Sequence, residues 1–320
     1  MPLPKDERVV ALANDLIQQF HKMFGPHPGH RPAHAKGLML VGDFKPAPGA
    51  SALTKAPHIT RAITPVTVRF SNSTGLPAIP DNAPEANPRG MAIRFNLAEH
   101  VHTDIVSHSM DGFPTHDGKQ FLEFLQAAAS SGPDVPSPKP IEKFLAAHPA
   151  AKAFVEAPKP FPSSFARETY FGITAFEFTN AAGEKKFGRY RIVPGLGNDF
   201  LTDAQVAALA PNYHYEEIVQ RAVAGPIRFR ILVQIAAPDD TTDDATIHWP
   251  ETRELFELGT IELTHVLPDN PAQQQHIIFD PIPRVDGIEP SADPLLELRA
   301  AIYLLSGRER RSAKLEAPAH

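Results

Sequence analysis

The sequence predicts an α+β fold, an antiparallel eight-stranded β-barrel with surrounding α-helices. Three observations carry that expectation. Strand-like segments come in groups of four, two and two, with helical segments between and after them, which fits a barrel with helical elaborations. The 34 prolines fall mostly in connecting segments, as expected because proline cannot donate to a sheet ladder. At 320 residues the chain can bury a large core, and a closed barrel with helical additions uses that length as one domain over 1–320.

Each element has a local reason. Residues 7 to 24 place Val9, Leu12, Leu16 and Phe20 at helical spacing before Gly25-Pro26, so an N-terminal helix is expected within 1–26. The first four strands are expected at Leu38 to Phe44, Val66 to Ser71, Met91 to Leu97 and Val101 to Val106. In the second, Val66, Val68 and Phe70 fall on one face and Thr67, Arg69 and Ser71 on the other, so one side is packed and one polar. Asp117 to Gln120 reads as a capping box opening a helix with Phe121, Phe124 and Leu125 on its apolar face. Ile141 to Phe154 reads as one helix, Tyr170 to Thr179 and Lys186 to Val193 as strands joined by a turn at Asn180 to Gly183. Short helices near 203–210 and 215–224 precede strands at Ile227 to Ile235 and Gly259 to Val266. Asp293-Pro294 then opens a C-terminal helix within 291–311, with Gly307 as its expected stop.

Composition narrows the function. A formal charge of -6 and a pI near 6.2 argue against nucleic acid or an anionic membrane as the main partner and favour small-molecule chemistry. There is no cysteine, so disulfide and thiolate chemistry are excluded. No apolar run reaches the roughly 18 residues of a membrane span, and the N-terminus lacks the apolar region of a secretory signal, so a cytoplasmic location is expected. His27, His30 and His34 offer a zinc alternative, but no thiol and no His-Glu-x-x-His motif accompany them.

On the C-terminal helix Arg299 and Tyr303 are four apart and share one face. A fixed guanidinium beside a phenol favours the phenolate, and an anionic oxygen is what ferric haem takes from a tyrosine. Alone, the same pattern also describes an amphipathic helix with a buried tyrosine and a basic tail. Further motifs stand in order along the chain: Arg31-Pro-Ala-His34-Ala-Lys36-Gly37, Arg69-Phe70-Ser71, Pro88-Arg89-Gly90, Asp104-Ile-Val106, then Phe113, Phe121, Phe279-Asp280-Pro281 and Arg308, Arg310, Arg311.

In this order and spacing they resemble the haem catalase family over roughly residues 28 to 311, and within it the short catalase-related haem peroxidases. The resemblance implies the catalase core fold, haem b, and a peroxidase that reduces hydrogen peroxide or organic hydroperoxides with small organic donors. A minimal catalase is the alternative, and a non-catalytic haem- or lipid-binding barrel the contrasting one. His34 matches the distal general acid-base and Ser71 the serine that supports it. Arg31, Arg69 and Arg310 match the arginines that pair with haem propionates, Phe113 and Phe121 the aromatic walls of the pocket, and Tyr303 the iron ligand held ionised by Arg299. The departure is His108, where catalases carry their distal asparagine. An imidazole there presents a donor, an acceptor or a cation, so the balance of dismutation and peroxidation is expected to vary between about pH 5 and 8. The short segment after Tyr303 leaves no room for the extra C-terminal helical domain of larger catalases. A homodimer or larger homo-oligomer is expected from the family.

Overall fold

In a computed structural model describing residues 2–313, the chain runs α1 (Glu7–Phe24), β1 (Gly37–Pro46), α2 (Pro57–Thr60), β2 (Thr64–Ser71), β3 (Gly90–Ala98) and β4 (Val101–His108). There follow α3 (Gly118–Ala129), α4 (Pro140–Ala147), α5 (Pro149–Glu156), β5 (Phe161–Pro162), β6 (Tyr170–Phe171), β7 (Phe176–Thr179), β8 (Lys185–Pro194) and β9 (Phe200–Leu201). The last third holds α6 (Asp203–Ala207), α7 (Tyr213–Ala224), β10 (Ile227–Ile235), β11 (Leu255–Val266), α8 (Asn270–His276), β12 (Ile288–Pro290) and α9 (Pro294–Ser312).

Neighbouring strands pair in the order β10-β11-β1-β2-β3-β4-β6-β8, and β8 pairs back to β10, closing an antiparallel barrel of eight strands. Closure removes the free edges that an open sheet would present. The barrel interior is apolar: Val66, Val68 and Phe70 of β2 face Phe95, Ile93 and Met91 of β3, all essentially inaccessible. Phe70 lies against Phe165 and Phe229 at 5.4 and 5.9 Å between ring centres, and Phe44 meets Phe95 edge-on at 5.1 Å. Register matters most at one rim, where Gly37 pairs with Ser71, Ser71 with Gly90, and Gly90 with His108. Those positions form a row across four strands.

A second apolar cluster lies outside the barrel, where Ala13 and Leu16 of α1, Leu125 of α3, and Leu298 and Ala301 of α9 meet. The Asp6 carboxylate caps α1 by accepting from the Arg8 N–H, and Asp293 caps α9 by accepting from Leu295. On the outer face of β2, Arg69 and Ser71 are also buried, Arg69 under Gln274 of α8 and the His34 and Ala35 carbonyls of the loop before β1.

Several expected boundaries shift. The helix expected over Ile141 to Phe154 is two, because Pro149 starts a new helix and disfavours helical backbone at His148 before it. The strand expected over Tyr170 to Thr179 is interrupted between Phe171 and Phe176, where Gly172 N–H instead bonds the Tyr190 carbonyl at 2.9 Å. The last long strand begins at Leu255, and Gly259, with φ +152, sits inside it. Gly307 does not stop α9; a side chain there would run into Ile278, so glycine serves close approach within the helix. Asp117 caps α3 through Gln120 N–H at 2.9 Å, without the reciprocal half of the expected box. The short α8 and β12 were not expected from the pattern.

Candidate active site

Between the outer face of β2 to β4 and the helices lies a cavity of about 370 Å³. All ten residues singled out in the sequence line it: Arg31, His34, Arg69, Ser71, His108, Phe113, Phe121, Arg299, Tyr303 and Arg310.

The rim row builds one wall. His34, on the loop before β1, has a left-handed backbone (φ +54), uncommon for a side-chain-bearing residue, and its Nδ1 sits 3.1 Å from Ser71 Oγ. Arg69 fixes that turn by donating to the His34 and Ala35 carbonyls at 2.8 and 3.2 Å. Gly90 lies behind the pair, and a β-carbon there would come within 2.5 Å of Ser71 Oγ and 2.9 Å of His34 Nδ1. Glycine at 90 is therefore a condition of the His34–Ser71 contact. Burial, with the Arg69 charge nearby, lowers His34 to about 4.

His108 Nδ1 accepts the Met110 backbone N–H at 3.2 Å, which leaves the ring proton on Nε2. Burial, aided by His34, lowers its pKa to about 3. The imidazole is thus a fixed neutral donor between pH 5 and 8, and the expectation that it titrates there is corrected. The physical reason is desolvation, which penalises the cation.

The opposite wall is α9. Leu296 and Ala300 pack toward the barrel and Leu298 and Ala301 toward α1, leaving Arg299, Ile302, Tyr303, Ser306 and Arg310 as one stripe facing the cavity. Their spacing of three and four is one helical face. Phe113 and Phe121, with ring centres 4.8 Å apart, close one end, and Phe20 of α1 approaches Phe121 at 6.3 Å.

At another edge three guanidinium groups converge. Arg31 donates to the carbonyls of Gln274 and Ile277 at 3.3 and 3.1 Å, Arg310 to Gln274, Gln275 and Ile277 at 3.1, 3.0 and 2.5 Å, and Arg69 to Gln274 Oε1 at 2.9 Å. Among the described residues none of the three forms an ion pair with a carboxylate, whereas Arg94 is paired with Asp104. Burial lowers Arg69 and Arg310 to about 10, and Arg31 is pushed down by burial and by the charges of Arg69 and Arg310. The cluster is short of negative charge.

Among the described residues no group of three His, Cys, Asp or Glu side chains is placed to hold a metal, and His27 Nε2 lies 2.9 Å from the Phe24 carbonyl. The histidine-only zinc alternative is thereby set aside. Sequence reasoning missed Gln274 and the α8 carbonyls beside it; Pro271 to Gln275 is a short polar run with no periodicity to mark it.

A closed antiparallel barrel with a cavity on its outer face, where a tyrosine–arginine stripe stands across from a histidine–serine pair, defines the class. The catalase family model matches residues 12–317. A catalase-related peroxidase of Synechococcus elongatus is 32% identical, covering 93% of this chain and 88% of its own. Another, from Mycolicibacterium paratuberculosis, is 33% identical over 89% of this chain and 90% of its own. A fungal catalase structure superposes with a TM-score of 0.78 at 22% identity, and a bacterial catalase with 0.76 at 24%; the chain spans 59% and 62% of their lengths. Those likenesses establish the fold. The chain belongs to the catalase family.

Proposed function

We propose that this chain is a haem-dependent peroxidase that reduces hydrogen peroxide or an organic hydroperoxide at the expense of small organic donors. The observation that carries the reading is the cavity itself, in which guanidinium groups that among the described residues pair with no carboxylate stand at one edge and a phenol at another. A haem fits this donor set, since its two carboxylates answer the arginines and its ferric iron takes a phenolate oxygen. Haem b is the form proposed, because a chain without cysteine has no Cys-x-x-Cys-His attachment for a covalent haem. When bound, haem supplies the redox chemistry of O–O cleavage.

The chain's own residues do the rest. Arg31, Arg69 and Arg310 would hold the haem carboxylates. Tyr303 would hold the iron, with Arg299 one turn away on the same face of α9. His34, neutral above about pH 4, takes the proton from one peroxide oxygen and returns it to the oxygen that leaves, while Ser71 sets its ring. His108 donates through Nε2 with fixed direction, and Phe113 and Phe121 exclude water. A cytoplasmic enzyme, acting as a homodimer or larger homo-oligomer, is part of the same proposal; among the described residues no helix is long and apolar enough to cross a membrane. The test is a pair of initial rates on one preparation, oxygen release from hydrogen peroxide and dye oxidation with an alkyl hydroperoxide. Faster dye oxidation is expected; vigorous oxygen release with negligible dye oxidation would mark a minimal catalase instead.

A further inference from the structure

We propose that Gln274 is a positioning residue for the cofactor's carboxylates, holding three guanidinium groups in place while leaving their charge free. The inference rests on the haem reading above and adds a role that the sequence did not suggest.

Gln274 touches all three arginines. Its Oε1 accepts from Arg69 Nε at 2.9 Å, and its backbone carbonyl accepts from Arg31 and Arg310 at 3.3 and 3.1 Å. The amide is itself anchored, since its Nε2 donates to the Gly37 carbonyl at 2.8 Å and to Asn270 Oδ1 at 2.9 Å. Asn270 in turn donates to the Met39 and Leu267 carbonyls at 2.8 and 3.2 Å, so its oxygen has to face Gln274. Turning either amide over would set donors against donors, so the network admits one orientation. The chain of contacts runs from β1 through α8 to the arginine cluster and is fixed at each step.

Neutrality is the second half of the argument. Three like charges, two of them buried and one half-buried, repel, and a carboxylate among them would relieve that directly. Among the described residues the acceptors for these three groups are all neutral: an amide oxygen and the carbonyls of His34, Ala35, Gln274, Gln275 and Ile277. Each guanidinium has five N–H donors, and Arg31 spends only two here, so oriented donors remain for an incoming anion. A glutamate at 274 would sit on Arg69 as a charge-assisted pair and compete with the ligand's own carboxylate. Gln274 differs from such a residue by one functional group, and that difference preserves the demand for an anion.

The test compares haemin with haemin dimethyl ester, which lacks the two negative charges, by titrating each into the full chain and reading Soret absorbance. Wild type is expected to prefer haemin by about tenfold or more, which is about 1.4 kcal/mol. Gln274→Glu should bring that preference close to unity while the ester binds as before. Gln274→Met, uncharged and of similar length, should weaken the preference by about threefold through lost orientation of Arg69. A Gln274→Glu protein that keeps the wild-type preference, or that weakens haemin and ester equally, overturns the role. If Gln274→Glu fails to fold, the Met variant decides, and an unchanged preference there overturns it. A wild type that takes up neither ligand would instead sink the haem reading of the cavity.

Discussion

At the Arg69–Ser71 end of β2 both faces are buried and yet built on different physics. Val66, Val68 and Phe70 point into the barrel, where shape and apolar area are sufficient and any residue of similar volume would serve. Arg69 and Ser71 point the other way, against α8 and the loop before β1, where burial would be costly were their polar atoms not matched to named partners. The inner face sets stability. The outer face, one residue away along the same strand, sets chemistry, and its tolerance to change is far smaller.

Substitutions on the two faces should therefore separate activity from stability. The largest effect is expected at His34. His34→Ala should leave haem bound but slow peroxide consumption by about 10² to 10⁴-fold in stopped-flow, with the melting temperature almost unmoved. A loss below about threefold would transfer the proton-moving role elsewhere, first to His108.

On the inner face Phe70→Ala should behave oppositely. Removing a ring packed on Phe165 and Phe229 should cost about 3 to 5 kcal/mol in chemical denaturation, while the remaining folded fraction keeps its specific activity. Activity lost without destabilisation would break the division between the faces.

Tyr303→Phe removes one oxygen from the cavity wall and should lower haem occupancy about tenfold, read as the Soret-to-protein absorbance ratio. A variant with the wild-type spectrum would remove Tyr303 as the ligand.

The smallest effects concern His108. His108→Asn exchanges one neutral donor for another of different reach, so the ratio of oxygen release to donor oxidation should rise by about threefold. The wild-type ratio should stay flat between pH 5 and 8, because burial keeps both His108 and His34 neutral there. Stability should nevertheless fall with acid. His34, His58 and His108 have folded pKa values lowered to about 4, 3 and 3, so below about pH 6.5 the unfolded chain binds more protons than the folded one. The loss should develop as pH drops from about 6.5 toward 4, and a denaturation midpoint independent of pH over that window would contradict the neutral histidines.

Much of this was legible in the chain. Period-two alternation in Val66 to Ser71 separated the two faces, and period-3.6 spacing placed Arg299 and Tyr303 on one stripe, because local backbone geometry dictates which side chains share a surface. Motif order singled out ten of the residues that line the cavity. Boundaries were less legible where one residue carries two meanings. Gly307 reads as a helix stop until Ile278 is seen against it, and Pro149 reads as a blemish in a helix until it is seen to begin one.

Other features depended on the folded molecule. That Arg69 on the polar face of β2 is covered rather than wet follows from Gln274 of α8 packing on it, a contact between residues 205 apart in the chain. That His108 is a donor of fixed tautomer follows from one backbone N–H at Met110, and that three arginines lack an anion follows from what α8 places beside them. The sequence by itself determined the elements, their faces and the identity of the chemistry-bearing side chains, since these depend on residue type and short-range periodicity. Only the tertiary structure decided protonation, charge balance and the contacts of Gln274 with three arginines, because desolvation and hydrogen-bond partnership arise from groups that folding brings together from distant parts of the chain.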